Sequence, residues 1–144
     1  MTDLPWTNVW SPTLVALAGE ILGSVATAHL EEPHAGFALR LVMNSRSDAP
    51  RRATVNMHSE WAEVVFETDP RLGVLRLDDF EKPDAHAMTV LRDLLLAARE
   101  YLTGGGTLTT RRTVLGRRRT TLTLESGTSK WQAHEPLFRW PIKH

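Results

Sequence analysis

The sequence has no cysteine. Disulfides, thiol catalysis and thiolate metal sites are excluded with it. Lysine is scarce: three of the 17 basic residues, against fourteen arginines. Long apolar runs are missing too. The longest weakly charged stretch, residues 12–30, is interrupted by Gly19, Glu20, Gly23 and His29, so it does not read as a membrane span. The opening MTDLPWTNVW has neither the basic start nor the apolar run of an export signal. The expectation is a cytoplasmic protein that makes no use of a membrane. Net charge is zero, whereas a protein that coats a nucleic-acid backbone usually carries positive charge.

Catalytic signatures are equally sparse. No GxSxG elbow occurs. Gly104-Gly105-Gly106 follows a helical pattern and precedes a strand-like one, whereas a phosphate cradle opens a helix. It reads as a helix stop. His29 and His34 flank Glu31 and Glu32, but Pro33 breaks any helix that would align them as ligands. His58 with Glu60, and His134 with Glu135, have no third ligand at a familiar spacing. No catalytic residue, metal site or cofactor is therefore assigned.

What is present is enough for one domain over residues 1–144, with 42% hydrophobic and 24% charged residues. Its charge is polarised. Residues 60–101 hold ten acids and five bases, a balance of −5, and residues 102–124 hold five arginines and no acid, a balance of +5.

A first helix is expected to start at Ser11-Pro12, serine as cap and proline in the first turn. Leu14, Leu17, Ala18, Ile21, Val25 and Ala28 recur along it at helical spacing. Glu20 is its only charge, so it is buried or shares its weakly polar side with a second copy in a homodimer. Residues 31–36 read as a loop. Four strand-like runs follow, around 37–44, 53–58, 61–67 and 72–77, with a polar turn at 46–52 and a type I turn at 68–71. The second helix follows the acidic stretch 78–84. Its stripe is Ala87, Leu91, Leu94, Ala98 and Tyr101, with Thr89, Asp93 and Glu100 opposite.

Residues 107–124, TLTTRRTVLGRRRTTLTL, read as a hairpin. A three-residue loop at Leu115-Gly116-Arg117 pairs Val114 with Arg118 and puts Leu108, Val114, Leu122 and Leu124 on one face. The other face carries Thr109, Arg111, Thr113, Arg119, Thr121 and Thr123. Residues 130–133 add a short last strand, and Leu137, Phe138 and Trp140 of the tail are expected against the body near Trp6 or Trp10.

The fold expected is a single α+β domain: two main helices and an antiparallel sheet of about five to seven strands, in the order α-β-β-β-β-α-β-β. This order is similar to that of type III secretion chaperones, a resemblance of topology that carries no motif.

Partner-binding candidates are Arg111, Arg112, Arg117, Arg118 and Arg119 of the hairpin, together with Trp61 and Glu63 on the expected outer face of a strand. Arginine forks fit carboxylates and phosphates, and exposed tryptophan is enriched at interface centres. The function expected is a non-enzymatic protein-binding module of the immunity, antitoxin or chaperone kind, its partner a toxin or effector. The alternative is a nucleic-acid-binding protein that uses hairpin 107–124 as its finger.

Overall fold

The computed structural model describes residues 5–32, 39–47 and 50–135. Its elements run α1 (Trp6–Leu22), β1 (Ala26–Glu31), β2 (Leu39–Ser45), β3 (Arg52–His58), β4 (Trp61–Phe66), β5 (Leu72–Leu77), α2 (Ala85–Leu102), β6 (Thr107–Arg112), β7 (Arg118–Ser126) and β8 (Ser129–Ala133). Strands β1 to β5 form an antiparallel meander, and β6, β7 and β8 a second antiparallel sheet. One bridge joins the two, with Gly73 and His134 exchanging backbone hydrogen bonds of 2.8 and 3.1 Å. This is the α+β domain that the patterning implies, with one strand more.

The extra strand is β1. It occupies residues that helical spacing assigned to the first helix, and it ends at Glu31, the first residue of the expected loop. Gly23 is the cause: at φ 54 it ends α1, its N–H bonding to the Gly19 carbonyl at 3.0 Å. Beyond it Ala26, Ala28 and Leu30 alternate inward, paired with Ser45, Met43 and Leu41.

The other end of α1 also departs from expectation. Ser11 is no cap. The helix begins five residues earlier, and Pro12 lies inside it. Trp6 and Trp10, one turn apart, both donate their Nε1 protons to the Phe80 carbonyl, at 2.7 and 2.8 Å. This tertiary anchor holds the first turns although Pro12 has no N–H to offer Asn8. The Ser11 hydroxyl bonds back to the Thr7 carbonyl at 2.6 Å.

Both helices pack on one face of the meander, and α2 reaches on to β7. The core is the inner face of the strands, Leu41, Met43, Val55, Met57, Val64, Phe66 and Leu72, closed by Leu91, Leu94, Leu95 and Ala98 of α2. The α2 stripe is as its periodicity indicates. Asp84 caps the helix, its Oδ1 accepting the Ala87 N–H at 2.9 Å. Asp84→Ala is expected to lower unfolding free energy by about 0.5–2 kcal/mol, measured by urea denaturation.

The helix ends in a fixed junction. Arg51 Nη1 donates to the carbonyls of Tyr101 and Gly105, at 3.0 and 2.8 Å, and its guanidinium lies 4.7 Å from the Tyr101 ring centre. At Gly106, with φ 104, an added Cβ would lie 2.8 Å from Leu122 Cδ1. Only glycine lets the chain pass so close to β7. The type I turn expected at 68–71 does not form; the chain only bends at Asp69-Pro70, whose peptide is cis. The tail residues Leu137, Phe138 and Trp140 lie outside the described residues.

Candidate functional site

The hairpin forms with a three-residue loop, one residue earlier than expected. Arg111 pairs with Arg119 and Arg112 with Arg118, so the loop is Val114-Leu115-Gly116. Thr113 N–H bonds to the Arg117 carbonyl at 2.7 Å, and Gly116, at φ 78, supplies the left-handed residue. The pairing shift from the expected register is two residues, an even number, so every side chain keeps its assigned face. The reason is the position of the glycine: a loop of this kind takes it third, whereas the expected loop had it second. Leu108 and Val114 were expected on the apolar face, but Leu108 is half exposed and Val114 sits fully exposed in the loop. Leu122 and Leu124 are buried.

All of β6 and the first residues of β7 are exposed. The hairpin therefore projects beyond the core. Arg111 and Arg119 share the face turned away from the helices, Arg112 and Arg118 the opposite one, and Arg117 closes the loop. Among the described residues none of the five has an ion-pair partner. Several arginines of the body are paired. Arg52 pairs with Glu31 at 3.2 Å, Arg71 with Glu67 at 3.3 Å, Arg76 with Asp93 at 3.6 Å and Arg92 with Glu20 at 3.2 Å. Val114 and Leu115, at 106% and 87% exposure, put two bare aliphatic side chains at the tip of this basic ribbon.

Of the second candidate pair, Trp61 is partly exposed and Glu63 is buried. Glu63 was expected on an outer face, and it does lie on the meander face opposite the helices, but only 5% exposed. It belongs to a row that crosses four strands. Glu31 pairs with Arg40, Arg40 with Asn56, and Asn56 with Glu63 as direct cross-strand neighbours. Burial pushes the Glu63 carboxyl above its ordinary range, and the Asn56 side chain partly offsets this by hydrogen bonding. The row is incompletely satisfied: Arg40 Nε, Asn56 Oδ1 and the nearby Thr54 Oγ1 are buried without hydrogen-bond partners among the described residues. Trp61 is half-buried on this same face, stacked on His58 at 6.1 Å between ring centres. It does not pack under α2.

A carboxyl raised by burial binds its proton more tightly in the folded state than in the unfolded one. The contribution of Glu63 to stability is thus most favourable below the ordinary value of 4.5 and falls as pH rises above it. Glu63→Gln is expected to match the wild type at acid pH and to be more stable near neutrality. Thermal melts across pH measure this, and an unchanged pH profile would mean that Glu63 is solvated.

The fold does not merge the two candidates. By strand alternation from the Gly73–His134 bridge, Arg111 and Arg119 face the same way as Trp61 and Glu63. Trp61, however, pairs with Leu77 at one end of β5, and the hairpin sheet is joined at Gly73 near the other. Sequence reading missed Arg40, Thr54 and Asn56, which look like ordinary polar positions of alternating strands. The available signal was their place in the two central strands, where an outward face is easily covered.

Among the described residues no three His, Asp or Glu side chains converge as metal ligands, and no helix is long and apolar enough to cross a membrane. No family model, curated protein or solved structure matches the chain.

Proposed function

We propose that this chain is a cytoplasmic, non-enzymatic protein-binding module of the immunity, antitoxin or chaperone kind, which covers an acidic surface of its partner with the arginine hairpin. The observation that carries the reading is five exposed arginines without acidic partners among the described residues, on a ribbon that projects beyond the core, when several arginines of the body are paired. Their charges raise the association rate for an acidic partner. Bidentate guanidinium–carboxylate contacts then hold it. Val114 and Leu115 at the tip fit an apolar recess rather than a phosphate surface.

The nucleic-acid reading is the weaker one. Residues 107–124 contain no aromatic side chain for base stacking, and the acidic stretch 60–101 opposes an extended phosphate contact. The test is the double variant Arg111→Glu with Arg119→Glu, which removes no core contact. It is expected to keep the wild-type circular dichroism and to lose partner binding, chiefly through slower association. Retention of the wild type on immobilised duplex DNA, with a salt slope that drops by about one per lost arginine contact, would establish the alternative instead.

A further inference from the structure

The hairpin presents a backbone edge as well as charge. In an antiparallel pair, hydrogen-bonded residues alternate with residues whose backbone groups point away. The bond from Thr113 N–H to the Arg117 carbonyl fixes the phase. Residues 107, 109, 111 and 113 therefore bond to β7, and Leu108, Thr110 and Arg112 turn their N–H and C=O groups outward. The 3.3 Å approach of the Thr110 and Thr120 hydroxyls agrees, since side chains are closest at non-hydrogen-bonded pairs. Strand β6 ends its sheet, and among the described residues nothing pairs with its outer edge.

The geometry points to β6 as an acceptor edge for an extended acidic segment of the protein partner, added antiparallel or parallel as a further strand. This rests on the hairpin reading above and specifies how the partner is held. The two faces of the edge differ. Thr109 and Arg111 lie on the face away from the helices, and the half-exposed Leu108 on the helix side, with Arg112 on that same side nearer the tip. A segment alternating acidic and apolar residues would set its acids beside Arg111 and an apolar side chain over Leu108. A second copy of β6 is a poor occupant, because it would bring two arginine-rich strands together.

The probe is a short capped peptide alternating glutamate with valine, titrated into the full chain. Amide hydrogen exchange at Leu108, Thr110 and Arg112 is expected to slow by about tenfold or more on binding, with little change at Thr109 and Arg111, which are already bonded. Thr110→Pro removes one outward N–H without touching the β6–β7 ladder, and is expected to weaken the peptide by about tenfold. Should that variant fail to fold, the same peptide N-methylated at alternate residues replaces it, and is expected to bind as weakly. If Arg111→Glu with Arg119→Glu abolishes binding, but Thr110→Pro and N-methylation leave it unchanged with no protection of the outward amides, the edge proposal is overturned and the charged-hairpin reading stands. If none of these changes matters, both fall. Binding to anionic lipid vesicles in place of the peptide also overturns it.

Discussion

Phe80→Ala is expected to destabilise the fold by about 3–5 kcal/mol, the largest effect of any single truncation considered. Phe80 lies in the segment between β5 and α2 and is fully buried. Its ring meets Trp10 edge-on at 6.4 Å, its N–H bonds to the Ser59 carbonyl at 2.8 Å, and its carbonyl receives both indole protons of α1. Losing the ring opens a cavity beside Trp10 and loosens the carbonyl that holds the first turns of α1. Urea denaturation measures the loss. A change below about 1 kcal/mol would mean that the backbone bonds alone anchor the helix.

Leu91→Ala and Leu94→Ala should each cost about 2–5 kcal/mol. Both side chains are completely buried where α2 meets the meander, among Leu95, Ala98 and the inner face of the strands. Thr89 is exposed, with its hydroxyl bonded to the Ala85 carbonyl at 2.9 Å, so Thr89→Ala should stay within about 0.5 kcal/mol. Equal losses at Leu94 and Thr89 would contradict the helix orientation.

The second helix was legible because its signals agree: an acidic stretch before its start, a 3.6-residue apolar stripe and a glycine stop. Strands β2, β3 and β4 were legible for the same reason, through period-two alternation. The first helix was not. Its true start depends on Trp6 and Trp10 finding the Phe80 carbonyl some seventy residues away in sequence, a contact that outweighs the local preference for Pro12 in a first turn. Its true end depends on Gly23, whose conformation a helical spacing continuing to Ala28 conceals.

The candidate site was half legible. Side-chain alternation fixed which arginines share a face even though the pairing slipped by two residues, because an even slip preserves faces. The face of Glu63 was legible but its burial was not, since alternation gives the side of a sheet and not whether that side is covered. The same limit hid the row that runs from Arg40 through Asn56, whose unsatisfied atoms arise only when neighbouring strands bring polar side chains together out of water.

The central claim is that the hairpin tip meets a protein. The most direct measurement is photocrosslinking in cells from a photoreactive amino acid that replaces Leu115, where the side chain is almost wholly exposed. One discrete protein adduct is expected, which survives nuclease treatment and disappears when Arg111→Glu and Arg119→Glu are introduced. An adduct destroyed by nuclease, or one that forms equally well with both charges reversed, would contradict it.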